Sequence, residues 1–327
     1  MRILIWHVHG SWTTAFVAGP HDYLLPLLPD RSPDGLGRAR TWSWPAAARE
    51  VPVERLREEP LDVVVLQRPH EAALAERWTG RRPGRDLPAV YLEHNAPTEH
   101  AVRSEHPVLQ DPRLRDVLVA HVTAFNAMAW DCGDHRTTVV EHGIPDPGHR
   151  YTGEDPSLAV CANEPVRRWR VAGSDVVLDL ARCLPVHVYG MASDELGAVA
   201  EQRSIPGLDR SRCHDLPQAA LHDAMARHRV YLHPYRWTSL GLSLIEAMTL
   251  GMPVLALSAT EAPEAVPAGA GLVTNDLGRL RATARRLLAD RDEAAACGRV
   301  ARDHALRRFS LTRFLLDWDR VLKEVTP

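Results

Sequence analysis

Short apolar runs alternate with longer segments of helical spacing along the whole chain. In the first half, residues 2–8, 61–66 and 89–92 have the length and apolar character of strands. Residues 114–128 carry the spacing of a helix, and 137–141 reads as another strand. In the second half, 158–161, 186–189, 230–233 and 253–257 are strand-like, with helical patterns at 175–182, 218–227, 242–250 and 277–290. Short, almost wholly apolar strands separated by helices predict parallel sheets covered by helices on both faces. Two such halves predict an α/β protein of two doubly wound, Rossmann-like domains. The boundary falls at Gly143-Ile-Pro-Asp-Pro-Gly148, where two prolines and two glycines stop any helix or central strand. The first domain is therefore placed at 1–148 and the second at 158–310. Beyond them, Phe314, Leu315, Trp318, Val321 and Leu322 recur at helical spacing, which predicts an amphipathic helix over 311–327.

Composition narrows the function without naming it. A formal net charge of -3 gives no global attraction to nucleic acid. Lys323, in the C-terminal tail, is the only lysine, so Schiff-base and P-loop lysine chemistry is excluded and any anion clamp must use arginine. The five cysteines are widely spaced and form no Cys-x-x-Cys, which argues against a disulfide framework and for a reducing compartment. The first residues run straight into a strand pattern without the form of a signal peptide. No apolar run approaches the roughly 20 residues that span a bilayer. The expected location is cytoplasmic, with membrane contact at most peripheral.

Doubly wound sheets bind ligands at the carboxyl ends of their strands, so the loops after strands hold the candidate chemistry. The segment Tyr231–Ala256 reads as strand, polar loop, helix and strand. Thr238, Ser239, Leu240, Gly241 and Leu242 form the loop and the helix start, where backbone N–H groups suit a diphosphate. Glu246 follows a turn later, placed to reach a sugar hydroxyl. After the strand 158–161 comes Ala162-Asn-Glu-Pro-Val-Arg-Arg-Trp-Arg-Val-Ala-Gly173, which brings Asn163, Arg167, Arg168, Arg170 and Gly173 ahead of a helix. In the first half, His9 and Gly10 follow the first strand, His94 and Asn95 follow the third, and Glu141 and His142 end the last. His7 and His9 alternate along a strand, so only one of them faces the loops, and His9 is chosen. Glu261 and Glu264 follow the strand 253–257 and offer carboxylates to sugar hydroxyls. Asp290-Arg-Asp292 and Asp317-Trp-Asp319 sit in helical contexts and read as surface charge rather than metal ligands. Arg77, Arg81, Arg82 and Arg85 form a basic stretch broken by Gly and Pro.

These motifs resemble the GT-B glycosyltransferases, especially the retaining family 4 type. The resemblance covers essentially the whole chain and is strongest over 230–276. It implies two doubly wound domains facing a cleft, an acceptor-side first domain on which the final helix packs back, and a donor-binding second domain. It implies transfer of a sugar from a nucleotide-diphosphate sugar, with retention of configuration and without cofactor or metal. The later of the family's two glutamates matches Glu246, which implies a contact with the nucleotide ribose. The earlier falls on Thr238, a departure that bears on donor identity. The family's arginine matches Arg167 or Arg168, its lysine falls on Ala172, and Arg170 supplies a replacement charge. The implied catalytic set is His94, Arg168 and Arg170. Donor contacts fall to Glu246, Thr238–Leu242, Arg167, Asn163, Gly173 and Glu264; cleft or acceptor contacts fall to His9, Gly10, Asn95, Glu141 and His142. The partners implied are a nucleotide-sugar donor and a saccharide, lipid-linked or small-molecule acceptor, with no nucleic acid. An inverting transferase or epimerase using His9, Glu93 or His94 as base, and a degenerate nucleotide-sugar-binding protein, are the alternatives.

Overall fold

The computed structural model describes residues 1–98 and 104–326. The chain forms two compact units, Met1–Pro145 with Phe309–Pro327, and Asp146–Arg308. Asp146 belongs to the second because its carboxylate receives both Nη atoms of Arg302, at 2.9 and 2.8 Å.

The first unit is built on β1 (Arg2–Ile5), α1 (Gly10–Phe16), β2 (Asp22–Leu27), β3 (Ala48–Pro52), β4 (Val63–Leu66), α2 (Glu71–Thr79), β5 (Ala89–Glu93), β6 (Leu118–His121), α3 (Ala124–Ala129) and β7 (Thr137–Val139). Its sheet runs β3-β2-β1-β4-β5-β6-β7, parallel throughout. The order reverses at β1 and β4, where Ile3 lies opposite Val63, so the loops leaving these two strands diverge. β1, β4, β5 and β6 bury nearly every side chain, which is why they read as continuous apolar runs rather than alternating ones.

The helix expected over 114–128 is not formed. Residues 118–121 instead make β6 between β5 and β7, with Leu118 opposite Val90 and Val119 opposite Thr137. Only α3 is helical, started by Thr123, whose Oγ1 accepts the amide of Asn126 at 3.0 Å. An unbroken apolar run such as Leu118-Val-Ala-His-Val satisfies both a buried strand and a helix face, and the vacant sheet position decides between them. The first strand ends at Ile5, so His7 and His9 both lie in the loop rather than alternating on it.

The second unit contains β8 (Asp155–Cys161), α4 (Trp169–Ala172), α5 (Ser174–Ala181), β9 (Val186–Tyr189), α6 (Ser193–Gln202), β10 (Cys213–His214), α7 (Gln218–Arg227), β11 (His228–His233), α8 (Leu242–Leu250), β12 (Val254–Ala256), α9 (Ala262–Ala265), β13 (Gly271–Val273), α10 (Leu277–Ala289) and α11 (Arg291–Arg308). Its parallel sheet runs β10-β9-β8-β11-β12-β13 and reverses at β8 and β11.

The final helix, α12 (Leu311–Val325), belongs to the first unit. It stops two residues short of the expected end, and Pro327 lies outside the described residues. Phe314, Trp318, Val321 and Leu322 enter the same core as Trp12, Phe16 and the β1, β4 and β5 side chains. Arg313 on α12 donates to the carbonyls of Glu141 and His142, which ties the segment after β7 to this helix. Asp317 and Asp319 pair with Arg313, Arg320 and Lys323 along the helix surface. Three arginines of the basic stretch serve packing. Arg81 donates to the carbonyls of Glu59 and Leu61, Arg82 to that of Pro112, and Arg77 lies 5.5 Å from the Trp78 ring. No helix among the described residues is long and apolar enough to cross a membrane.

Candidate functional site

At the reversal point of the second sheet, β11 and β8 send out the two loops singled out from sequence. The β11 loop descends through Thr238, half-buried, then Ser239 and Leu240, both buried, to Gly241, which starts α8. No side chain caps α8, so its first-turn amides keep the positive end of the helix dipole for a ligand. Leu242 opens the helix and is half-buried. Behind it, Tyr231 donates to Ser243 Oγ at 2.9 Å and fixes the first turn against the strand.

Glu246 lies in the second turn of α8 and is only 7% exposed. Gln218 Nε2 donates to its Oε1 at 2.8 Å, and His222 Nε2 stands 3.7 Å from Oε2. Gln218 and His222 are one turn apart on α7 and are themselves 2.7 Å apart. One carboxylate oxygen is therefore held by an amide, while the other has only a long contact and keeps its acceptor capacity. Neither α7 residue stood out in the sequence. The i, i+4 spacing of two polar residues facing an otherwise apolar helix was the available signal.

The β8 loop distributes its arginines differently from a simple clamp. Arg167 forms a two-pronged pair with Glu164 on the surface. Arg170 bonds Asp175, and so does Arg236, whose two Nη atoms reach the Asp175 oxygens at 2.6 and 2.8 Å. Arg168 has no carboxylate partner among the described residues; its guanidinium lies 5.6 Å from the Tyr235 ring centre and is half-buried. It is the arginine of this loop whose charge is not already paired. Arg236 lies within the Tyr231–Ala256 segment, two residues before the loop residues singled out there, and nothing local distinguishes it from a solvated side chain.

Asn163 and Gly173 shape this loop. Asn163 Oδ1 accepts the Met191 amide at 3.0 Å, tying the loop to the turn after β9. Gly173 joins α4 to α5 with φ +73°, and a Cβ there would lie 1.9 Å from the Pro234 carbonyl oxygen. The site's two loops are in backbone contact at that point, which only glycine permits. After β12, Glu261 is 2% exposed and faces Arg308 at 3.4 Å, whereas Glu264 on α9 is exposed. A cavity of about 340 Å³ lies beside these loops, lined by Arg236, Leu257, Ser258, Ala259, Asn275 and Leu277.

In the first unit the corresponding loops gather histidines. His9 precedes α1, and its ring centre is 4.1 Å from that of His94. His94 Nε2 bonds Gln67 Oε1 at 3.0 Å, and Gln67 in turn donates to the Trp6 carbonyl, so β1, β4 and β5 are tied together at their carboxyl ends. Trp12 meets the His94 ring edge-on at 5.1 Å. His142 is buried, and its Nδ1 has no hydrogen-bond partner among the described residues. Burial first, then the neighbouring histidines, holds His94 well below its ordinary pKa, and burial with His9 and Arg313 pushes His142 down to about 3. Gly10 opens α1 beside Trp42. Asn95 is exposed; its amide donates to Glu93 Oε1 at 2.6 Å and its carbonyl accepts Trp130 Nε1. The other oxygen of Glu93 bonds His106 at 3.0 Å. Glu141 is half-buried on the segment that Arg313 holds.

Buried neutral histidines make the fold acid-sensitive. His142, His228 and His233 have pKa values near 3, and His121 near 4, chiefly through burial. Between those values and the ordinary 6.5, the unfolded chain binds protons that the folded chain refuses. Stability is therefore complete above about pH 6.5 and is lost as pH falls toward 4. The melting temperature should be flat from pH 8 to 7 and decline steadily below 6.5. A flat profile down to pH 4.5 would show that these rings are not held neutral.

Comparisons with known proteins agree with this architecture. HepE of Anabaena, solved with UDP, superposes with a TM-score of 0.72 at 16% identity, covering 99% of this chain and 100% of that one. WaaG, a glycosyltransferase involved in lipopolysaccharide biosynthesis, gives 0.67 at 17% identity, covering all of both chains. Sucrose-phosphate synthase of Thermosynechococcus elongatus gives 0.69 at 14% identity over 99% and 98%. The two parallel-sheet units have the α/β architecture of the GT-B fold. Residues 177–290, from α5 to the end of α10, match the family model Glycosyl transferases group 1. A search of the curated proteins finds no match. Among the described residues, no group of three or more His, Cys, Asp or Glu side chains is arranged to hold a metal ion.

Proposed function

We propose that this enzyme transfers a sugar from a UDP-sugar to a hydroxyl of a saccharide, lipid-linked or small-molecule acceptor, with retention of configuration and without a metal. The observation that carries the donor site is the buried Glu246, with one oxygen held by Gln218, set a turn beyond the uncapped start of α8. A carboxylate so placed accepts from both ribose hydroxyls while the diphosphate sits on the α8 amides. UDP is the nucleotide bound in the HepE structure, which supports it as the first candidate here.

In the retaining reaction the acceptor oxygen bonds to the sugar anomeric carbon as the bond from that carbon to the phosphate oxygen breaks. The acceptor's proton passes to the departing phosphate. The protein's share is orientation and stabilisation of the negative charge that grows on the diphosphate. Arg168 supplies the charge, while the charges of Arg170 and Arg236 are met by Asp175. In the second unit Thr238 offers a hydrogen bond to a sugar hydroxyl of the donor; in the first unit His94, held neutral and fixed by Gln67, is the candidate contact for an acceptor hydroxyl. Both oxygens of Glu93 are engaged, by His106 and by the Asn95 amide, which supports a reaction that needs no carboxylate base. The five free cysteines support a reducing, cytoplasmic setting.

A thermal-shift titration with UDP, GDP, ADP, dTDP and CDP tests the donor site. One nucleotide should stabilise the protein, by about 2.7 kcal/mol at about 100 Kd. No shift from any of them at millimolar concentration would remove the donor-site reading. Analysis of the product anomer then tests retention.

A further inference from the structure

His233 ends β11 and is only 2% exposed, yet its Nδ1 has no hydrogen-bond partner among the described residues. Buried polar atoms are nearly always paired, and leaving one unpaired costs roughly 1–3 kcal/mol. The ring stacks on Tyr235, with centres 4.9 Å apart, so it is held in place rather than free to turn toward a partner. Its edge lies against Gly241. A Cβ added there would meet His233 Cε1 at 2.8 Å and Nδ1 at 3.7 Å. Gly241 has φ -68°, a conformation open to any residue, so glycine is required there by the approach of this ring and not by its own backbone. The orphaned nitrogen and the uncapped first turn of the nine-residue α8 thus share one spot.

We propose that His233 is a further donor-site contact, giving an Nδ1–H hydrogen bond to a diphosphate oxygen seated at the start of α8. The proposal rests on the donor-site reading above and adds a residue that recognises the diphosphate rather than the nucleoside. Burial pushes the His233 pKa down to about 3, so the ring contributes a neutral hydrogen bond and not a charge. That suits a position where the helix amides and Arg168 already provide the positive potential. The tautomer is the one with the proton on Nδ1.

The test uses two amide substitutions that differ in where they place nitrogen. His233→Asn sets an amide close to the Nδ1 position, and His233→Gln sets one near Nε2. Binding of UDP and of uridine is measured by calorimetry for the full chain and both variants, with ADP, GDP, dTDP and CDP and their nucleosides run alongside. The Gln variant should lose about tenfold in affinity for the diphosphate, the size of one hydrogen bond. The Asn variant should stay within about twofold of the parent, and nucleoside binding should not change in either. Equal diphosphate affinity in parent and Gln variant overturns the proposal while leaving the donor site standing. Equal losses for diphosphate and nucleoside overturn it too, because a purely structural role moves both together. If the parent binds no nucleoside diphosphate, the donor-site reading falls and this contact falls with it. Melting curves of both variants without ligand separate a lost contact from a lost fold.

Discussion

Glu246→Ala is expected to weaken nucleoside diphosphate binding by about a hundredfold and to leave the unliganded protein folded. Two hydrogen bonds from hydroxyls to a carboxylate are each worth about 1.5–3 kcal/mol, and a loss near 3 kcal/mol corresponds to about a hundredfold in Kd. The low cost to the fold follows from the neighbours. Gln218 bonds both His222 and Glu246, so removing the carboxylate leaves Gln218 and His222 bonded to each other. Leu244, Ile245, Ala247 and Met248 continue to hold α8 in place. Glu246→Gln keeps the shape without the charge and should fall between parent and alanine. Calorimetric titration of both variants decides the matter, and unchanged affinity in Glu246→Ala would place the nucleotide elsewhere.

The second large effect is on stability. Trp318 is fully buried on α12 and meets Trp12 at 5.5 Å and Phe16 at 5.1 Å between ring centres. Trp318→Ala should cost about 3–5 kcal/mol, the range for removing a large aromatic from a core. Its indole nitrogen has no partner among the described residues, so the loss is one of packing and not of hydrogen bonding. For a unit of this size the melting transition should move down by roughly 10 °C. Scanning calorimetry should show the transition of the first unit shifting while that of the second keeps its position. A shift under about 2 °C would mean that α12 contributes little to that core. Because Arg313 on the same helix holds the Glu141 and His142 carbonyls, the variant should also loosen the segment that carries His142.

Much of the candidate site is legible in the sequence because its residues are local to one motif. The β11 loop, Gly241 and Glu246 lie within a single strand–loop–helix, and α7 and α8 have the bounds their periodicity indicates. The partners of those residues could not be seen. Gln218 and His222 are far from Glu246 in sequence and meet it only because α7 packs on α8. Arg167 and Arg170 carry the charge of a phosphate clamp, but that charge is met by Glu164 and Asp175. Arg236 joins the same carboxylate from the other loop. Of the two glutamates after β12, burial separates Glu261 from Glu264, which the local pattern treats alike.

The sequence by itself determined the alternation of strand and helix and the parallel character of both sheets. Each follows from hydrophobic periodicity and from glycine and proline punctuation, which act over a few residues. Tertiary structure alone decided that residues 118–121 are a strand, that β2 and β3 extend the first sheet, which arginine keeps its charge unpaired, and that His233 faces Gly241. Those outcomes depend on which surfaces meet across the fold, and a contact between distant segments leaves no periodic trace in either of them.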